Sequence, residues 1–167
     1  MKTLTLVRHA KSSWAHPELR DRNRPLKGRG ERDAPKMGAY LKSQNVKPDR
    51  VISSPSVRAW KTAVVFAEKL GIPESDIVSE ENIYEAGIYD ILRILDDIPE
   101  ETNHLMLFGH NPSITQVYNF LSDSPNIVEN IPTCGVATLN FKSESWFRLR
   151  ESSGATSMLV FPKNFLA

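Results

Sequence analysis

Three short segments carry side chains suited to handling an anion. They are Arg8-His9, the stretch Ser53–Arg58, and Gly109-His110, and each follows a run of apolar residues. Guanidinium groups bind phosphoryl oxygens as two-pronged donors, and an imidazole nitrogen can attack phosphorus. Two arginines and two histidines brought to one place would therefore form an anion site with a titratable nucleophile.

The elements needed to bring them together are readable from the apolar pattern. Lys2–Val7 alternates as a strand and stops at Arg8-His9. Ala34, Met37 and Leu41 fall at helical spacing and predict a helix over about Glu31–Ser43. Val51-Ile52-Ser53 reads as a short strand. Ser54-Pro55-Ser56 opens a second helix with Ala59, Ala63, Phe66 and Leu70 as its apolar stripe, closed by Gly71 and Pro73.

Ile77–Ser79 is a further strand, and Ile88, Ile91, Leu92 and Leu95 mark a third helix. His104–Phe108 is a near-continuous apolar run of the kind a strand covered on both faces shows. A fourth helix follows Asn111-Pro112 and runs through Val117 to Leu121, and strands are expected near Val136–Phe141, Trp146–Arg150 and Met158–Phe161. Strands alternating with helices predict an α/β three-layer sandwich, a mostly parallel central sheet flanked by helices, formed by residues 1–167 as a single domain. In such sheets ligands bind beyond the carboxyl ends of the strands, where Arg8-His9, Ser53–Arg58 and Gly109-His110 would lie. Arg58 also falls in the first turn of its helix, where free N–H groups favour anions.

Composition narrows the function. The 167 residues are 40% hydrophobic and 25% charged, with a net charge of +1, which excludes a disordered chain and removes any global field for a polyanion. Neither a nucleic-acid nor a membrane partner is expected. The near-zero total conceals an asymmetry: the first 73 residues hold 16 Lys and Arg against 6 Asp and Glu, and residues 74–101 hold 1 against 10. One or two of the basic residues between Lys11 and Arg32 are expected to border the substrate entrance, with Lys11 and Arg24 nearest it. A single cysteine, Cys134, and no long apolar stretch lead to the expectation of a cytoplasmic protein.

Several other chemistries fail on spacing. No Gly-x-Gly-x-x-Gly or Gly-Lys-Ser/Thr occurs, so a nucleotide fold is disfavoured. None of the four histidines has a His-x-x-x-His or Glu-x-x-His partner, so neither a metal nor any other cofactor is expected. A cysteine phosphatase would need arginine six positions after Cys134, where Asn140 stands. Cys134 reads as a small buried residue, and the three tryptophans as packing.

The segments Leu6–Trp14, Ser53–Ala63 and Gly109–Pro112, in that order, resemble the signatures of the histidine phosphatase superfamily, also called phosphoglycerate mutase-like. Arg24-Pro25-Leu26 with Gly30, and Pro132–Val136, are similar to segments of its short phosphohistidine phosphatase branch. The resemblance implies that His9 is a nucleophile, its other ring N–H held by a backbone carbonyl, with Arg8, Arg58 and His110 binding the phosphoryl oxygens. It also implies a metal-independent hydrolase acting on protein phosphohistidine or a small phosphorylated substrate. Glu85 is the candidate general acid, and Ser12, Lys11 and Asn111 are further candidates for substrate contact, although Ser12 also fits a loop hydrogen bond. Ala10 replaces the glycine usual after Arg-His, and Ala15 stands where mutase-like members carry asparagine, which disfavours a sugar-phosphate mutase. The rival reading is a binding module on the same fold that has lost turnover; retention of His9 favours catalysis.

Overall fold

Along each central strand, successive apolar residues turn to opposite sides, and the two sides find different partners. In the computed structural model, which describes residues 1–164, the chain forms β1 (Lys2–Arg8), α1 (Gly28–Ser43), β2 (Arg50–Ser53), α2 (Val57–Leu70) and β3 (Ile77–Ser79). It continues through α3 (Ile88–Asp96), β4 (His104–Gly109), α4 (Ser113–Leu121), β5 (Val136–Phe141) and β6 (Ala155–Val160). The last three positions of the expected 1–167 domain lie outside the described residues.

The six strands form one sheet in the order β3-β2-β4-β1-β5-β6. β1 to β4 run parallel, while β5 is antiparallel to both β1 and β6. Leu4, Leu6, Ile52, Leu105 and Leu107 face one way, onto Ile91 and Leu95 of α3 and Ile114, Val117 and Tyr118 of α4. Val7, Val51, Met106 and Phe108 face the other, onto Ala34, Met37 and Leu41 of α1 and Ala63 and Phe66 of α2. This period-two division gives the three-layer α/β sandwich with a mostly parallel sheet that the sequence predicts.

Local signals explain most element ends. Ser56 caps α2 by accepting from the Ala59 N–H at 3.4 Å, so the helix begins at Val57 and the Ser54-Pro55-Ser56 stretch is its lead-in. Gly71, at φ 75°, closes α2 in the left-handed conformation. α1 begins at Gly28, ahead of the predicted Glu31. Gly30 lies so close to the Lys11 carbonyl that a Cβ there would overlap it, which pins the helix start to the loop after β1.

Two expectations in the tail are corrected. Trp146–Arg150 is a loop: Trp146 is fully buried and donates from Nε1 to the Thr102 carbonyl at 2.7 Å, and the chain then turns through Arg148 at φ 55°. One large anchored ring, with no strand pairing beside it, accounts for the apolar signal there. The last strand starts at Ala155, ahead of Met158, and ends at Val160, paired with Val136. Among the described residues no helix is long and apolar enough to cross a membrane.

Candidate active site

Parallel register decides which residues meet. Arg8 of β1 lies opposite Gly109 of β4, and Ser53 of β2 lies opposite Phe108. Three adjacent strands therefore release the chain at one edge, and His9, Ser54 and His110 are each one residue beyond. The His9 N–H donates to the Gly109 carbonyl at 3.1 Å and the Ser54 N–H to the Phe108 carbonyl at 3.0 Å. The rings of His9 and His110 come within 5.2 Å, centroid to centroid. Arg58, second residue of α2, completes the group from the N-terminus of that helix.

His9 is held by a chain of constraints reaching back to α2. Its Nδ1 lies 2.8 Å from the Ala10 carbonyl oxygen, which can only accept, so Nδ1 carries the proton and Nε2 the lone pair. The Ala10 N–H donates to Thr62 Oγ1 at 3.0 Å, and the Thr62 hydroxyl donates to the Arg58 carbonyl at 2.7 Å. Burial, together with the charges of His110, Arg58 and Arg8, depresses the His9 pKa to about 3, against the opposing pull of the Ala10 carbonyl. The ring is neutral at pH 7, as a nucleophile requires.

His110 is neutral too. Burial, helped by Arg58, lowers its pKa to about 4 although Asp21 pulls the other way. Its Nε2 is 2.8 Å from Ser54 Oγ, an oxygen that also accepts from the Ser56 N–H at 3.3 Å, and 3.4 Å from Ser56 Oγ. Its Nδ1 is buried without a partner among the described residues.

The guanidinium groups are positioned with donors to spare. Arg8 donates from Nη1 to the Ile131 carbonyl at 3.0 Å, and burial lowers its pKa. Arg58 gives Nη1 to the Asp21 carbonyl at 2.7 Å and Nη2 to Asp21 Oδ2 at 3.0 Å. Neither Nε has a partner. Of the four buried side-chain nitrogens or oxygens without a partner among the described residues, three are Arg8 Nε, Arg58 Nε and His110 Nδ1. Leaving such donors unpaired costs about 1–3 kcal/mol each, so their concentration at one edge marks a place built to meet an acceptor-rich anion.

Asp21 organises this pocket, and sequence reasoning misses it. Partial burial pushes its carboxyl up, but hydrogen bonds from Tyr84 at 2.7 Å, Arg58 and Arg24 overcome that and hold its pKa near 2. Tyr84 in turn sets its ring edge-on to His110 at 5.7 Å. The one available signal was an acid standing alone among Arg20, Arg22 and Arg24.

The remaining candidates are placed differently. Glu85 is exposed, at φ 58°, on an open recess of about 600 Å³ shared with Arg20–Asn23 and Tyr84. Ser12 is buried and accepts from Arg24 Nη1 at 2.8 Å, a bond within its own loop. Lys11 is half-buried, its carbonyl accepting from the Lys27 N–H at 2.8 Å. Asn111 spends its amide on Asn130 and on the Ile131 carbonyl, both at 2.9 Å, and its oxygen on the Thr115 N–H and hydroxyl. The side chains of Ser12 and Asn111 thus hold loops, the role already open to Ser12 from its sequence. Among the described residues no group of three or more His, Cys, Asp or Glu could hold a metal ion.

The model of the histidine phosphatase superfamily (branch 1) matches residues 4–104. The chain belongs to the histidine phosphatase superfamily. The match contains Arg8, His9, Arg58 and Glu85 and ends before His110, whose membership of the site rests on the β1–β4 register. An uncharacterized chloroplastic protein of Arabidopsis thaliana is 28% identical over 153 residues, covering 87% of this chain and 69% of the relative. Among solved structures in the superfamily's fold, the protein histidine phosphatase SixA complexed with tungstate superposes with a TM-score of 0.81 at 21% identity, covering 97% of this chain and 98% of the other. An Agrobacterium tumefaciens protein provisionally named phosphohistidine phosphatase SixA gives 0.80 at 24%, covering 96% and 98%.

Proposed function

We propose that the protein is a phosphatase that removes a phosphoryl group from nitrogen, above all from the phosphohistidine of a protein, through a phosphohistidine formed on its own His9 and without a metal ion. The observation that carries this reading is the His9 ring: Nδ1–H is fixed on the Ala10 carbonyl, so the unprotonated Nε2 is left beside the free donors of Arg8, Arg58 and His110. In the first step His9 Nε2 forms a bond to phosphorus as the substrate P–N bond breaks, and the leaving imidazole nitrogen takes a proton from solvent. In the second, water attacks the phosphorus, the His9–P bond breaks, and phosphate leaves with His9 neutral again. Arg8, Arg58 and His110 Nδ1 hold the three equatorial oxygens and meet the charge spread over them.

Substrate choice follows from leaving-group chemistry. A phosphoester needs its departing oxygen protonated, and the candidate acid, Glu85, is exposed at the rim. A phosphorylated imidazole leaves as a far weaker base, so it depends less on a placed acid. The names of the SixA structures that share this fold support the same substrate class. A cytoplasmic setting fits the lone buried thiol of Cys134.

The test is phosphate release in EDTA from a phosphohistidine peptide and from p-nitrophenyl phosphate, by the unmodified protein and by His9→Ala. The reading expects metal-free turnover, faster on the peptide, and its loss in His9→Ala. Inertness on both substrates would leave the binding module; wild-type turnover by His9→Ala would remove His9 as nucleophile.

A further inference from the structure

Two sets of basic residues differ in what they meet. Arg22, Arg24 and Arg58 each meet a carboxylate, Glu81 or Asp21. Arg29, Arg32, Lys36 and Lys163 have no ion-pair partner among the described residues. These four unpaired cations line a cleft of about 520 Å³ together with Pro132 and half-buried Phe161, and Asp33 is the one acid in its lining.

The cleft adjoins the catalytic strand end. Thr133, on its wall, accepts from Arg29 at 3.4 Å. The next residue, Cys134, sends its N–H to the carbonyls of Arg8 and His9 at 3.1 and 3.0 Å, and three residues before it the Ile131 carbonyl holds the Arg8 guanidinium. One short segment, 131–134, therefore touches both the phosphate pocket and the basic cleft.

We infer that this cleft seats an acidic stretch of polypeptide flanking the phosphohistidine of a protein substrate. The inference rests on the phosphohistidine reading given above. Four cations without ion-pair partners, around Pro132, Pro162 and Phe161, complement carboxylates carried on an extended peptide. A concave cleft suits an extended chain better than a flat membrane, and it offers no row of aromatic rings on which bases could stack. The attraction is local, because the whole chain carries only +1.

The experiment uses three synthetic peptides with one central phosphohistidine, flanked by Glu, by Gln or by Lys, and phosphoramidate as a small substrate. The expected order of kcat/KM is Glu above Gln above Lys, spanning at least tenfold from Glu to Lys and shrinking as NaCl rises. In the Arg32→Glu/Lys36→Glu protein the Glu-flanked advantage disappears while phosphoramidate hydrolysis stays within twofold, which also reports an intact fold. Arg32→Gln/Lys36→Gln should fall between the two. If all three peptides are equal, or the order persists undiminished in both double variants, the cleft plays no part. A chain ending at Asn164 that gains tenfold or more for the Glu peptide would make residues 165–167 the occupant and overturn the inference. Inertness of the unmodified protein on every substrate is the distinct result that would sink the phosphatase reading.

Discussion

The pocket at the strand ends and the loop around its mouth are both rich in arginine, and they use it in opposite ways. In the pocket, Arg8 and Arg58 are anchored by one edge to backbone carbonyls and to Asp21, with an unpaired Nε left over. In the loop, the guanidinium groups of Arg22 and Arg24 are taken up within the protein: Arg22 meets Glu81, and Arg24 meets Asp21 and lies over the Trp14 ring at 3.6 Å. Rigid, unsatisfied donors suit a transition state whose charge develops at a fixed place, while cations already paired within the protein suit a rim that admits or rejects substrates. Asp21 belongs to both regions, since its carboxylate takes Arg24 of the loop on one oxygen and Arg58 of the pocket on the other.

The largest effect is expected inside the pocket. Arg58→Ala should lower kcat by roughly 10²–10³-fold, as loss of one preorganised donor does. Steady-state kinetics on ester and phosphoramidate would check it, and a change confined to KM would move Arg58 from the transition state to plain binding. Asp21→Asn, which keeps the shape and removes the charge, should cost about tenfold, chiefly in kcat, with partial recovery in Asp21→Glu. An effect below twofold would show that Arg58 is held without it. At the rim, Glu85→Gln should slow ester hydrolysis several-fold and leave phosphoramidate hydrolysis within twofold. Equal losses on both substrates would bring Glu85 into the pocket chemistry.

The smallest effect concerns stability and pH. Both site histidines have folded pKa values below the ordinary 6.5, about 3 for His9 and about 4 for His110. Between pH 6.5 and those values the unfolded chain binds more protons than the folded one, so stability present at neutral pH drains away as pH falls through that window. Calorimetry should show Tm falling from pH 7 to 4.5, and falling less in His110→Gln. The same slope in the variant would contradict the burial argument for that ring.

What was legible in the sequence was whatever the backbone alone positions. Arg8-His9 and Gly109-His110 end apolar runs, so a parallel sheet necessarily brings them to one edge, and Arg58 follows a helix start marked by Ser56. Asp21 was not legible, because its meaning depends on Arg58, 37 residues away, and on Tyr84, 63 away, and no periodicity links them. Asn111 sits beside His110 in the chain, yet its amide turns to the Ile131 carbonyl. Adjacency in sequence says nothing about which way a side chain points after a strand ends. Trp146 misled for a similar reason, since one buried ring mimics the apolar signal of a strand.

The covalent step at His9 is the event on which phosphoryl transfer in this pocket depends. Rapid quenching in base of the unmodified protein with a ³²P-labelled phosphohistidine peptide, followed by digestion and mass spectrometry, should recover an acid-labile phosphoryl group on His9. The label should be absent from His9→Ala, with turnover reduced by roughly 10⁴-fold or more. A label on any other residue, or turnover retained by His9→Ala, would contradict it.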